Sequence, residues 1–400
     1  MRKFYLVILL LFFKISLASA NTPLQEKLED TIKNYLSSRF LNATYMFCDN
    51  DGTIVMGAHG IRSLKTHELL KENEQMPIAS ITKSMTAASI LKLQDKKLLN
   101  VQDPVSKYLT AKSGIWNEGG MPAWADKVTI HHLLTHSSGL PEYFMNMKID
   151  IKKPHVEINK DIANFAASRT LAFEPGLDHS YNNTNFVLLG LIVEQVSGKP
   201  LGEFYNDELF APLSMRATRL VDLEEAIKMQ VDPENSPTPI RYFVTPTGGE
   251  PKFTEAKSEF IMVPFADGGV VSTNGDLIRW HKGLHNGQVL SKESYKLMMQ
   301  KHYEIPDKNG RKTYMGYGLF ISELSKDCEM YYHAGSALAI RGESGYIPCR
   351  KFYYSVLSNV MNYIPKDMAD KIDLTKPENQ LDIHFFVESI LNTIVDHTGL

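Results

Sequence analysis

Apolar residues change their spacing several times along this chain, and each change marks an element. Leu24, Leu28, Ile32, Leu36 and Phe40 recur at every fourth position, which predicts an amphipathic helix with one buried face. Residues 43–48 and 53–61 then read as strands around the turn Asp49-Asn50-Asp51-Gly52, a β-hairpin. A polar connection over 68–76 leads to a helix that starts near Ser80 and runs to about residue 95. From 103 to about 264 the pattern is mostly helical, with helices expected over 128–134, 162–168 and 185–197, the last closed by Gly198. Residues 233–251 hold five prolines and a Gly-Gly pair, so they read as an exposed loop or a small extra hairpin. Gly268-Gly269 precedes a helix over 274–284, and strands return at 317–324, 330–333, 342–347 and 352–358. The closing helix, about 378–395, should turn Leu381, Phe385, Leu391 and Ile394 inward. This order predicts an α+β fold: an antiparallel sheet built from 21–102 and 265–400, flanked by terminal helices, with the mostly helical 103–264 inserted.

The first twenty residues stand apart. Arg2 and Lys3 precede an apolar run from Phe4 to Phe13, and Ala18-Ser19-Ala20 offers small residues for cleavage, so 1–20 reads as a secretory signal peptide. The protein is therefore expected to be exported, periplasmic or secreted, with 21–400 as a single catalytic domain and no membrane anchor after cleavage. Loss of Arg2, Lys3 and Lys14 takes the formal charge from −3 to −6. A mildly acidic surface argues against nucleic acid as a partner. Of three cysteines, Cys328 and Cys349 flank two strand-like runs and are expected to meet at the open end of a hairpin as a disulfide, while Cys48 reads as a buried core residue.

The chemistry starts at Ser80-Ile81-Thr82-Lys83. Residues three apart share a helix face, so the Lys83 amine can reach the Ser80 hydroxyl and serve as, or relay to, a base. A serine at a helix N-terminus also meets free backbone N–H groups that favour developing negative charge. By itself a Ser-x-x-Lys match also fits a helix-capping serine followed by a solvated lysine.

Further motifs follow in order: Leu133-Leu134-Thr135-His136-Ser137-Ser138-Gly139-Leu140, Phe173-Glu174-Pro175-Gly176 with Tyr181-Asn182-Asn183, and His333-Ala334-Gly335. Together with Ser80 and Lys83 they resemble the class C β-lactamase and serine DD-peptidase family over nearly the whole mature chain. The resemblance implies the α/β sandwich of that family and an acyl-enzyme mechanism. It assigns Ser80 as nucleophile, Lys83 as the lysine that holds and helps deprotonate it, and Tyr181 as general base or proton relay. Asn183 matches an amide that contacts substrate and Lys83. His333 and Gly335 lie on the strand beside the site, and the backbone N–H groups of Ser80 and Ser336 would form the oxyanion hole.

Two departures bear on substrate. His333 stands where class C β-lactamases usually carry lysine, and Ser336-Ala337-Leu338-Ala339 replaces a glycine-rich run. The first shifts the expectation from β-lactamase toward a D-alanyl-D-alanine carboxypeptidase or endopeptidase, and the second implies different substrate access along that strand; a β-lactamase, an esterase, or a silent peptidoglycan- or partner-binding module remain alternatives. Substrates implied are small peptides, peptidoglycan-like chains, β-lactams or esters. His132 and His136 have the i, i+4 spacing of a zinc pair, but Leu133 stands where a metalloprotease needs glutamate. There is no Gly-x-Ser-x-Gly elbow, phosphate loop or dinucleotide fingerprint, so no cofactor is expected.

Overall fold

The computed structural model describes residues 22–396 apart from 118, 145, 248–249, 257–264, 306–309, 365–371 and 374. The signal-peptide expectation for 1–20 lies outside the described residues. Eight antiparallel strands form the main sheet: β1 (Ala43–Cys48), β2 (Thr53–His59), β3 (Tyr303–Ile305), β4 (Thr313–Met315), β5 (Phe320–Ser325), β6 (Cys328–Ala337), β7 (Ile340–Ile347) and β8 (Phe352–Ser358). Their order across the sheet is β3-β4-β5-β6-β7-β8-β1-β2, so the first hairpin docks against the last strand, with Thr44 opposite Leu357. Both chain ends thus build one sheet, as the alternation in 43–61 and 317–358 predicts.

Alternation along each strand sends side chains to two cores. On one face α1 (Pro23–Ser38) and the C-terminal helix, here labelled α6 (Ile383–Asp396), cover Phe47, Phe352 and Tyr354. Tyr35 packs edge-on against Phe386 at 5.2 Å, and Thr31 hydrogen-bonds Thr393 at 2.8 Å, which fixes the two terminal helices together. On the other face lies the larger core, centred on α2 (Thr82–Asp95). Around it stand the short α3 (Ile130–Leu134), α4 (Asn183–Ser197) and α5 (Asn274–His285).

Every residue of α2 from Thr82 to Leu91 is buried, polar ones included. Such a helix needs internal partners for its polar groups. Thr82 Oγ1 accepts from the Val270 amide at 3.2 Å and Thr86 Oγ1 donates to the Ala266 carbonyl at 2.5 Å. These bonds lay the 266–270 segment along α2, a placement that decides the site's geometry.

Several boundaries differ from the sequence expectation. β6 continues past His333 to Ala337, because the Gly335 side packs tightly and leaves no turn there. β3 and β4 are additional short strands, β3 at the sheet's edge and β4 between it and β5, whose mixed composition gives no run of alternation. The Pro-rich stretch does form a hairpin, Tyr242–Thr245 with Lys252–Glu255, which adds to Val360–Asn362. The closing helix starts later than expected; Leu381 is buried ahead of it in a separate small cluster, and Phe386 rather than the half-buried Phe385 enters the core. Cys328 and Cys349 are joined as a disulfide that closes the open end of the β6–β7 hairpin, and Cys48 is a buried free thiol.

Candidate active site

The cleft lies where the N-terminus of α2 meets the edge of β6. Ser80 sits in a 3-10 turn, Ala79–Ile81, that leads directly into α2. Ala79 has φ +45°, a conformation costly for a residue with a Cβ, and it lifts Ser80 to the half-buried floor of the cleft. One turn on, Lys83 is fully buried and donates to the Ser80 Oγ at 3.0 Å, the Asn183 Oδ1 at 2.8 Å and the Asp267 carbonyl oxygen at 2.6 Å. Those are three acceptors for the three N–H bonds of an ammonium. A buried cation is tolerated only when paired in this way.

Tyr181 covers the lysine. Its ring centroid is 5.1 Å from Lys83 Nζ, and its outer face borders the cleft with Phe320 at 6.4 Å and His333 at 6.3 Å between ring centres. Beneath it, His136 stacks at 4.4 Å. His136 leaves the end of α3 at φ +56° and accepts from the Asn182 amide through Nδ1 at 3.0 Å, while its carbonyl accepts from Ser180 at 3.0 Å. The Thr-His-Ser-Ser-Gly-Leu segment is therefore a support for the strand-like 180–182 stretch that carries Tyr181. Burial, and next the Lys83 charge, hold the His136 imidazole well below its usual range.

Asn183 opens α4, and its backbone N–H and Nδ2 both donate to Glu142 Oε2, at 2.6 and 3.2 Å. A carboxylate here complements the helix N-terminus and turns the amide oxygen toward Lys83. Burial pushes the Glu142 carboxyl upward, against the lowering effect of the Asn183 and Phe144 backbone amides that donate to it. Asp267 is also buried and raised, chiefly by desolvation, with its Oδ2 accepting from Tyr143 at 2.8 Å.

The opposite wall is β6. A Cβ on Gly335 would lie 2.1 Å from the Ile78 carbonyl oxygen, so only glycine lets this strand approach the Ser80 turn so closely. β5 pairs with β6 only as far as Tyr332, so from 333 onward that edge has no strand neighbour among the described residues. His333 is buried, with Nδ1 2.6 Å from its neighbour Ala334's carbonyl oxygen; burial and then Lys83 lower its pKa to about 3, so the ring is neutral at pH 7. Ser336 is exposed on the cleft wall.

All seven residues singled out from the sequence, Ser80, Lys83, Tyr181, Asn183, His333, Gly335 and Ser336, thus gather at one cleft. Sequence reasoning missed Glu142, Asp267, Phe144 and Phe320. The first two carry no motif, since each acts through a loop whose docking is set by tertiary contacts; Gly268-Gly269 was the one visible trace. The paired histidines diverge: His132 Nδ1 accepts from the Thr129 amide at 3.2 Å, capping its own helix, while His136 faces Tyr181. Among the described residues no group of three metal-ligating side chains converges.

The Beta-lactamase family model matches residues 28–375. The chain belongs to the Beta-lactamase family, and so to the serine hydrolases of the β-lactamase and penicillin-binding protein superfamily. A penicillin-binding protein of Bacillus subtilis is 26% identical over 302 residues, covering 74% of this chain and 62% of the relative. The D-alanyl-D-alanine-carboxypeptidase/endopeptidase AmpH of Escherichia coli is 25% identical over 227 residues, 54% of this chain and 49% of the relative. The chain thus spans between about half and three fifths of the length of these relatives. Among solved structures, the D-amino acid amidase of Ochrobactrum anthropi superposes with TM-score 0.71 at 19% identity, covering 94% of this chain and 100% of the other. The penicillin binding protein of Bacillus halodurans gives 0.67 at 23%, with 84% and 95% covered. These likenesses show the fold.

Proposed function

We propose that the protein is an exported acyl-transfer hydrolase that cleaves D-alanyl-D-alanine-like peptides, as a carboxypeptidase or endopeptidase. The observation that carries this reading is the buried amine of Lys83, hydrogen-bonded at once to Ser80 and Asn183 beneath the Tyr181 ring. Ser80 Oγ attacks the scissile carbonyl carbon; an O–C bond forms and the C–N bond breaks. The hydroxyl proton reaches the leaving amine by a concerted relay, in which the Lys83 ammonium gives a proton on toward the leaving nitrogen by way of Tyr181 as it takes the one from Ser80. Water then adds to the ester, releases the acid and restores the serine hydroxyl. The amide groups of Ser80 and Ser336 receive the carbonyl oxygen as charge builds on it.

His333 weighs against a β-lactamase and equally against a carboxypeptidase, because a neutral ring supplies no charge to hold the carboxylate that a β-lactam and a D-Ala-D-Ala terminus both carry; of the two peptidase readings it supports the endopeptidase. An esterase would use the same atoms, and the aromatic walls Phe144 and Phe320 favour it as the second reading. The activity named for the Escherichia coli relative, D-alanyl-D-alanine-carboxypeptidase/endopeptidase, supports a D-configured substrate. Turnover of an N-acetylated D-Ala-D-Ala peptide, a p-nitrophenyl ester and a chromogenic cephalosporin by parent and Ser80→Ala tests the reading. Peptide cleavage lost in the variant is expected, and equal rates in the two proteins would refute it. The apolar run before Ala20 supports export; protein recovered from its host is expected to begin at Asn21.

A further inference from the structure

Behind the cleft wall, β6, β7, α2 and α5 enclose a small cavity bordered by Ser84, His281, His285, His333 and Ser344 together with apolar side chains. Among the described residues His333 alone borders both this cavity and the cleft. Its Nδ1 carries the ring hydrogen, because the Ala334 carbonyl oxygen 2.6 Å away can only accept. The ring is neutral, so Nε2 is left with a lone pair, and that atom is buried with no hydrogen-bond partner among the described residues. A buried acceptor of this kind needs a donor.

The donor can be traced from the far side of the cavity. His281, on α5, is buried and held neutral by that burial; its Nε2 lies 3.1 Å from the Ser344 Oγ and its Nδ1 has no partner. A buried N–H left unpaired is rarer than an unused lone pair, so the His281 hydrogen belongs on Nε2, donating to Ser344. The Ser344 hydroxyl hydrogen is then free to point onward. Ser344 stands opposite His333 in the β6–β7 register, which puts the two side chains on one face of the sheet. The cavity they share has about 10 Å³ open to the centre of a water molecule, room for about one water. Ser84 Oγ donates to the Ile81 carbonyl oxygen at 2.9 Å and accepts from Trp280 Nε1 at 3.2 Å, which leaves it one lone pair for the same water.

We propose that one water bound in this cavity accepts from Ser344 and donates to His333 Nε2, and that His281 and Ser344 are thereby positioning residues that hold the cleft-wall imidazole as its Nδ1–H tautomer. The donation runs one way, from His281 through Ser344 and the water to His333. Its end fixes the ring against Ala334, with ring centres 4.8 Å from Phe320 and 6.3 Å from Tyr181. Without it the hydrogen is free to move to Nε2, which releases the Ala334 carbonyl oxygen and lets the ring turn in the wall that faces Ser80. This inference rests on the cleft being the site of acyl transfer, as read above, but the tautomer itself is measured without turnover.

The test reads histidine tautomers from two-bond 15N–1H correlations on ring-labelled protein, with the His333 signals assigned through His333→Asn. In the parent at pH 7, His333 is expected as Nδ1–H alone, with cross-relaxation from a bound water to its ring protons. Ser344→Ala and, separately, His281→Leu should bring in the Nε2–H tautomer. Both should lower kcat/KM on a p-nitrophenyl ester by about tenfold, within what a small displacement in an active site costs, and keep the thermal midpoint within a few degrees. His281→Gln keeps an N–H at similar reach and should restore tautomer and rate. An Nε2–H ring in the parent, no water at its ring protons, or an Nδ1–H ring unchanged in both variants would overturn the proposal. So would a shifted tautomer with parental kcat/KM, or a loss that His281→Gln does not recover. If the tautomer shifts as expected while the parent turns over no acyl substrate, the relay stands and the acyl-transfer reading falls.

Discussion

Lys83 Nζ lies 2.6 Å from the carbonyl oxygen of Asp267, a residue 184 positions further along the chain. That contact ties the segment re-entering the sheet region to the helix that carries the nucleophile. It also consumes a donor that would otherwise face Ser80 and Asn183 alone, so the amine is fixed in one place by three acceptors. Positioning of this kind is worth orders of magnitude in rate, because a shift of about 1 Å costs about a hundredfold.

Lys83→Met should separate activity from stability. Methionine fills a similar volume and removes a buried charge whose desolvation costs several kcal/mol. Against that, the Asn183 and Asp267 acceptors lose a partner at about 1–3 kcal/mol each. The thermal midpoint is expected to stay within a few degrees of the parent's, while kcat/KM on a p-nitrophenyl ester falls by about a thousandfold or more. A variant that is unfolded, or one that keeps parental activity, would contradict this assignment of the lysine.

Gly335→Ala tests the close approach of β6 to the Ser80 turn. Its methyl would meet the Ile78 carbonyl oxygen at 2.1 Å, so strand or turn must move apart. The expected result is a loss of about 1–3 kcal/mol in denaturant unfolding, the usual cost of overpacking. Catalysis should fall by more than that destabilisation explains, since Ser80 and the Ser336 amide are displaced relative to each other. Unchanged kinetics would place the oxyanion pocket elsewhere.

Glu343 gives a pH signature remote from the cleft. It is buried on β7, its Oε1 accepting from Tyr354 at 2.8 Å, and burial raises its pKa to about 7. The Tyr354 bond opposes that rise, Glu388 and Asp382 add to it, and Arg311 opposes it. A carboxyl whose folded pKa lies above the unfolded value stabilises the fold at low pH, and this contribution is lost as pH climbs from about 4.5 through about 7. Glu343→Gln should remove that decline and leave the variant more stable than the parent at pH 8, by up to about 3 kcal/mol. Parallel stability curves for the two proteins between pH 4 and pH 8 would rule out the buried carboxyl as the source.

How far the sequence discloses this molecule depends on whether a feature is local. Residues 43–61 alternate and turn within one short stretch, so the hairpin could be read directly. The Ser80–Lys83 pair lies on one helical turn, and the order of the later motifs carried Tyr181, Asn183 and His333 to the same place. By contrast, the burial of Lys83 depends on Thr82 and Thr86 gripping a loop from the other side of the insertion, which no spacing reports. The same holds for Glu142, which caps α4 from a separate loop. β6 runs past the expected 333 to Ala337, where glycine at 335 lets the strand continue in contact with the neighbouring turn, a contact that no local spacing reports. In the closing helix Leu391 and Ile394 face the core as the pattern predicts, but the buried face they share runs through Ile383, Phe386, Val387 and Ile390, which leaves Phe385 at its margin.

The most direct test of the central claim is the intact mass of the protein after treatment with a fluorophosphonate, a serine-directed reagent that needs no charged pocket, with Ser80→Ala treated alongside. A single phosphonyl adduct on the parent, mapped to the peptide containing Ser80, and none on the variant, is the predicted result. An adduct of equal yield on Ser80→Ala, or one mapped to another serine of the parent, would contradict the account.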